Sequence, residues 1–148
     1  LIKDGVSDGK NLFIMGNRLA SGVVFAAMMQ SDSPFAGGIV ISPVTDLLNY
    51  NPIRITRYMD RNGVTAGYKT NQAIGNVKSI KGKLLLVHAM NDGDNPVENT
   101  NKLVEELVNN NVQFEMQLYP NRDESFTASL LQPHLFTRIL NFIKGNIK

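Results

Sequence analysis

Arg18 stands where a nucleophile would be expected. The run Asn11-Leu12-Phe13-Ile14-Met15 reads as a short buried strand, and Val23 to Met29 reads as a buried helix. Between them lie small residues: Gly16, Ala20, Ser21 and Gly22. A sharp strand-to-helix turn with small residues two before and two after its apex is the backbone of a nucleophile elbow. The small neighbours let strand and helix approach while the apex side chain stands above the sheet. The chemistry of that turn calls for Gly-x-Ser-x-Gly, and the chain carries Gly16-Asn17-Arg18-Leu19-Ala20. A guanidinium keeps its proton and offers no lone pair, so Arg18 cannot attack a carbonyl.

A serine-type reaction also needs an acid and a base. Asp92 follows the apolar run Lys83-Leu-Leu-Leu-Val-His88 and supplies a carboxylate. A third loop, after Tyr119, carries Asp123 and Glu124 and has no histidine. The chain's two histidines are His88, which ends the apolar run, and His134. His88 reads as a framework residue, and His134 as a surface or packing residue of the last helix. Ser21, three residues past the apex, has no histidine placed to activate it and reads as a small packing residue. Asp92-Gly93-Asp94-Asn95 lacks the ligand spacing and twelfth-position glutamate of a calcium loop. No phosphate-cradling glycine motif is present, so neither a metal nor a cofactor is expected.

The elements that would hold these residues follow from apolar patterning. Strands are expected at Asn11–Met15, Phe35–Ile41, Lys83–His88 and, nearer a sheet edge, Val112–Tyr119. Helices are expected at Val23–Met29, near Ile53–Asp60, at Val97–Asn110 and at Ser129–Lys144. Glu98 is placed one helical turn before Lys102, the spacing of an ion pair. Leu1–Asp4 reads as a helix end stopped by Gly5, and Asp8-Gly9-Lys10 as a turn that feeds the first strand. Strands without polar alternation, separated by helices, imply α/β architecture: a mostly parallel sheet with helices on both faces. Reactive residues of such a sheet gather at the carboxyl ends of the strands, which is where Arg18, Asp92 and Glu124 fall.

Composition sets the bounds. The chain has 148 residues, 43% hydrophobic and 19% charged, with net charge +2 and no cysteine. That is enough for one domain with a real core. No dense Lys/Arg run points to nucleic acid. Absent cysteine excludes disulfides, zinc-thiolate sites and a thiol nucleophile. No apolar run is long enough for a membrane span. Leu1-Ile2-Lys3 reads as neither a signal peptide nor a native start, so the chain is expected to be part of something longer.

The chain resembles the C-terminal part of the catalytic domain of the prolyl oligopeptidase family, closest to the dipeptidyl peptidase IV branch. The resemblance covers essentially all 148 residues. It rests on the elbow, on Ile41-Ser42-Pro43-Val44-Thr45, on Arg57-Tyr58-Met59, on His88-x-x-x-Asp92 and on Asn141-Phe142-Ile143-Lys144. It implies the C-terminal portion of an α/β-hydrolase fold over residues 1–148, the first strands and a propeller lying upstream. Active members have Gly-Trp-Ser-Tyr-Gly-Gly at the elbow, so their serine falls on Arg18. Their acid falls on Asp92, and their histidine, five residues after a tyrosine, falls on Glu124. The acid loop is one residue longer than usual near Gly93. In the proline pocket Tyr50 matches a family aromatic, while Leu47 and Arg54 replace a tryptophan and a tyrosine. Asn95 takes a substrate-binding position. The disulfide common in secreted members is missing at both ends, near Gly37 and Asn146.

The resemblance therefore implies a catalytically inactive homologue, acting as a binding or assembly partner. Family members with a replaced nucleophile serve as auxiliary subunits of potassium channels, although they keep the histidine. The alternative is a serine-type dipeptidyl peptidase cleaving after proline through an atypical or residual site. Expected partners are a protein or a peptide, and a second copy through the last helix. A membrane is expected only through a segment outside this chain, with placement at the cell surface or outside the cell. Arg18, set between Asp92 and Glu124, would replace a catalytic hydrogen-bond chain by a cation between two carboxylates.

Overall fold

Four apolar runs become four parallel strands. The computed structural model describes residues 3–7, 9–46, 50, 74–123, 125 and 132–147. In it β1 (Leu12–Asn17), β2 (Phe35–Ile41), β3 (Lys83–Ala89) and β4 (Glu115–Tyr119) lie side by side in chain order. Ile14 pairs with Gly38, Gly38 with Leu84, and Leu86 with Met116, all in parallel register. The helices are α1 (Ser21–Met28), α2 (Glu98–Asn109) and α3 (Gln132–Gly145).

The unbroken apolar character of β3 follows from burial on both faces. Leu84 and Leu86 pack with Val24, Phe25 and Met28 of α1 and with Leu103 and Leu107 of α2. Leu85, Val87 and Ala89 pack on the other face with Leu135, Ile139 and Phe142 of α3. The crossovers that contain α1 and α2 both advance one strand along the sheet, and both helices cover the same face. That is what a uniform crossover hand requires. α1 comes close enough that a Cβ on Gly38 would stand 2.1 Å from the Met28 sulfur.

α2 ends by a mechanism written in its last residues. Asn111 takes φ 53°. The Val112 N–H donates to Leu107 O at 2.9 Å and the Asn111 N–H to Val108 O at 3.0 Å. This is a Schellman closure with asparagine in the left-handed position. It delays β4, expected from Val112, until Glu115. Val112 and Phe114 pack against the core instead.

Other expectations are corrected. α1 is not buried all round: Val23 is 65% exposed, and Met29 caps the helix rather than extending it. Lys102 does not pair with Glu98, because its ammonium reaches Asp46 Oδ2 at 3.3 Å. Gly9 takes φ 72°, as its turn requires, while residues 3–5 form a turn with Gly5 at φ 70° rather than the expected helix end. The helix expected near Ile53–Asp60 and the first residues expected of the last helix lie outside the described residues, as do Leu47, Arg54 and Glu124.

Candidate active site

β1 ends at Asn17, and the chain reverses at Arg18 with φ 55° before a single 3-10 turn leads into α1. Positive φ is costly for a side chain as large as arginine, on the order of 1 kcal/mol or more. Packing holds it there. A Cβ on Gly16 would stand 2.6 Å from the Ala20 carbonyl oxygen and 2.7 Å from Val24 Cγ2, so only glycine permits this approach. Gly22 has no such duty, since nothing lies within 4 Å of a Cβ there. Ser21 is fully buried, and its Oγ accepts the Val44 N–H at 3.1 Å. This bond ties the elbow to the loop after β2 and leaves the hydroxyl out of reach of any substrate.

The acid loop follows β3. Asp92 has a fully buried side chain. Its Oδ1 accepts the backbone N–H groups of Asp94 at 3.1 Å and Asn95 at 2.9 Å. Arg18 Nη2 lies 3.4 Å from Oδ1 and 3.3 Å from Oδ2 of Asp92. Arg18 Nη1 lies 3.7 Å from Asp94 Oδ2. Arg18 retains 17% side-chain exposure, so it lies across the loop rather than in bulk solvent. The structure thus joins Arg18 and Asp92, the residues expected at the nucleophile and acid positions, directly. The second described carboxylate at Arg18 is that of Asp94; Glu124, expected there, lies outside the described residues.

A buried polar network braces this loop from beneath. His88 Nε2 is 2.9 Å from the Asn95 carbonyl and Nδ1 is 2.6 Å from Thr100 Oγ1. A carbonyl can only accept, so Nε2 carries the proton and Nδ1 accepts from the Thr100 hydroxyl. Burial pushes the imidazole below its ordinary pKa, against the raising effects of the Asn95 carbonyl and Asp92. Thr100, His88 and Asp92 are a hydroxyl, an imidazole and a carboxylate in sequence. Yet Thr100 and His88 are fully buried and Asp92 Oδ2 is 3.9 Å from Nε2, so the row is framework.

Asn95, expected to touch substrate, has its side chain spent internally. Nδ2 donates to the carbonyls of Ser42 at 2.9 Å and Pro43 at 3.1 Å, and Oδ1 accepts from Asn99 Nδ2 at 2.6 Å. Thr45 Oγ1 donates to the Asn99 carbonyl at 2.6 Å. Tyr50 is buried. Its expected neighbours in the pocket, Leu47 and Arg54, are outside the described residues.

The third loop is stitched to the second. Met90 N–H donates to Tyr119 O at 3.0 Å and Asn91 N–H to Arg122 O at 2.8 Å. Next to position 124, Asp123 accepts the Ser125 hydroxyl at 2.6 Å and N–H at 3.0 Å, and these bonds lower its carboxyl pKa. His134 is not directed to the elbow by any described bond: its Nδ1 meets Tyr119 Oη at 2.8 Å, with the rings edge-on at 5.6 Å. Burial raises the Tyr119 phenol above its ordinary value.

Among the described residues no group of three or more His, Cys, Asp or Glu could hold a metal ion. An open cavity of about 430 Å³ lies at the amino ends of β2 and β3, lined by Lys10, Phe35, Lys83 and Asn146 among others. It is at the opposite end of the sheet from Arg18 and carries none of the chemistry.

Sequence reading missed Asp94 and the Asn99–Thr100–Thr45 brace. The signal for Asp94 was present: an aspartate followed by Gly-Asp-Asn favours a turn closed by its own carboxylate.

Comparison with known proteins matches this arrangement to one family. The sequence model of the prolyl oligopeptidase family matches residues 1–148. Dipeptidyl peptidase family member 1 of Caenorhabditis elegans is 26% identical over 110 residues, covering 74% of this chain and 13% of the relative. Prolyl endopeptidase FAP of Mus musculus is 24% identical over 147 residues, covering 97% of this chain and 19% of the relative. The crystal structure of Porphyromonas gingivalis dipeptidyl peptidase 4 superposes with a TM-score of 0.84 at 26% identity, covering 95% of this chain and 20% of that one. The chain thus spans no more than about a fifth of the length of these proteins, and its parallel sheet with flanking helices matches their α/β-hydrolase fold.

Proposed function

From the premise that this chain belongs to the prolyl oligopeptidase family, we propose that it is part of a dipeptidyl peptidase IV-like protein that binds rather than hydrolyses. The single observation that carries this reading is Arg18 itself: it takes the strained apex of the elbow and lays its guanidinium on Asp92. A nucleophile and an imidazole would have to share that space. Arginine offers no nucleophilic lone pair, and its fork occupies the carboxylate that would orient a base. What remains is a preorganised frame at the carboxyl ends of parallel strands, suited to holding a peptide or a protein segment without cleaving it.

The family's acid position is Asp92 in this reading, its nucleophile position Arg18 and its base position Glu124. Tyr50, Leu47 and Arg54 belong to the binding region, whereas Asn95 braces the loop after β2 through the Ser42 and Pro43 carbonyls. A cation at position 54 weakens a pocket that would stack on a proline ring. A second copy of the chain is proposed to dock on α3, where Phe136 and Leu140 are each 52% exposed one helical turn apart. No described helix is long and apolar enough to cross a membrane, and cell-surface or extracellular placement rests on the family resemblance.

The alternative, a serine-type peptidase with residual turnover after proline, draws on the intact elbow backbone. Without serine and imidazole only oxyanion donors and binding would be left to it. Labelling of the full-length protein with a fluorophosphonate serine probe separates the two. The binding reading expects no label at residues 1–148, and labelling of Ser21 would overturn it.

A further inference from the structure

Asp94 owes its place to Asp92. By accepting the N–H groups of Asp94 and Asn95, Asp92 Oδ1 closes a tight turn across Gly93. That turn brings a second carboxylate to the guanidinium: Asp94 Oδ2 is 3.7 Å from Nη1, while Nη2 stays on Asp92. The two terminal nitrogens of Arg18 are divided between carboxylates two residues apart. The burial is graded. Asp92 is fully covered, whereas Arg18 and Asp94 are each 17% exposed and lie towards solvent. Two carboxylates this close repel unless a cation sits between them, so the turn and the arginine support each other.

We infer that Asp94 is a positioning residue for Arg18. It aims the guanidinium onto Asp92, and the Arg18–Asp94 pair closes the former active centre over the buried acid as an ionic lock. The inference deepens the binding reading and shares its premise that Arg18 fills the nucleophile position. It concerns the geometry of the closed site and not turnover, so the two fail separately.

The test is hydrogen exchange by mass spectrometry on the full-length protein, following the segment 90–97 against 84–87 in β3. The variants are Asp94→Asn, Asp94→Glu, Arg18→Gln and the double variant Arg18→Gln with Asp94→Asn. Asp94→Asn is expected to speed exchange of 90–97 about tenfold, with 84–87 unchanged and Asp94→Glu close to wild type. In the Arg18→Gln background the same Asp94→Asn change is expected to add less than twofold. Wild-type exchange in Asp94→Asn, or an equal acceleration in both backgrounds, would overturn the lock. Should Arg18→Gln fail to fold, the contrast between Asp94→Asn and Asp94→Glu still decides. Dipeptide turnover by the wild type would overturn the binding reading alone.

Discussion

The guanidinium of Arg18 lies on the carboxylate of Asp92, with Nη2 3.3 Å from Oδ2 and the aspartate side chain fully buried. A hydrolase would place a base between these two positions, and here the cation spans them directly. Removing one partner leaves a buried charge uncompensated, at a cost of about 3–5 kcal/mol when both groups are buried. Partial exposure of Arg18 moves the expectation to the lower end of that range. Arg18→Ala should therefore destabilise clearly, and Arg18→Ala with Asp92→Ala less than additively, as measured by denaturant unfolding. Additive losses would mean that the pair contributes nothing as a pair.

Two glycines six residues apart should respond in opposite ways. Gly16→Ala drives a Cβ to 2.6 Å from the Ala20 carbonyl oxygen, and backbone must shift to admit it. The expected loss is about 1–3 kcal/mol or more. Gly22→Ala meets nothing within 4 Å inside α1 and should gain up to about 1 kcal/mol from helix propensity. Thermal melts of the two variants check both signs.

Much of this was legible in the sequence, because it depends on residue size and apolar runs. Gly16 and Ala20 announced a close turn, and Leu84 to Val87 announced a strand covered on both faces. The exposed Val23 was not legible, since an all-apolar helix hides which side faces the sheet. Nor was the choice of Lys102, whose neighbour in sequence, Glu98, competes with Asp46 from another loop. For Asp94 the turn was legible in Asp92-Gly93-Asp94-Asn95, but not its partner, because Arg18 lies in another loop 76 residues away in sequence.

The pH dependence of stability should carry the mark of His88. Its folded pKa lies below the ordinary 6.5, chiefly through burial. The unfolded chain then binds more protons than the folded one below that value, so stability rises with pH there. The contribution is full above about 6.5 and is lost as pH falls from there through the folded pKa. Denaturation midpoints between pH 7 and 5 should fall in the wild type, and His88→Gln should flatten that slope while lowering stability at pH 7. An unchanged slope would place the acid sensitivity elsewhere.

Ser21 distinguishes structure from chemistry. Ser21→Ala strips the Val44 N–H of its 3.1 Å acceptor in a buried place. The expected loss of stability is about 1–3 kcal/mol. Binding of a peptide or partner at the strand ends should persist in material that folds.

The most direct measurement is hydrolysis of a Gly-Pro fluorogenic dipeptide by the full-length protein, beside the double reversion Arg18→Ser with Glu124→His. The proposed reading predicts a silent wild type and turnover in the reversion, which would supply a nucleophile and a base beside the braced Asp92. Turnover by the wild type, abolished by Ser21→Ala, would contradict the account.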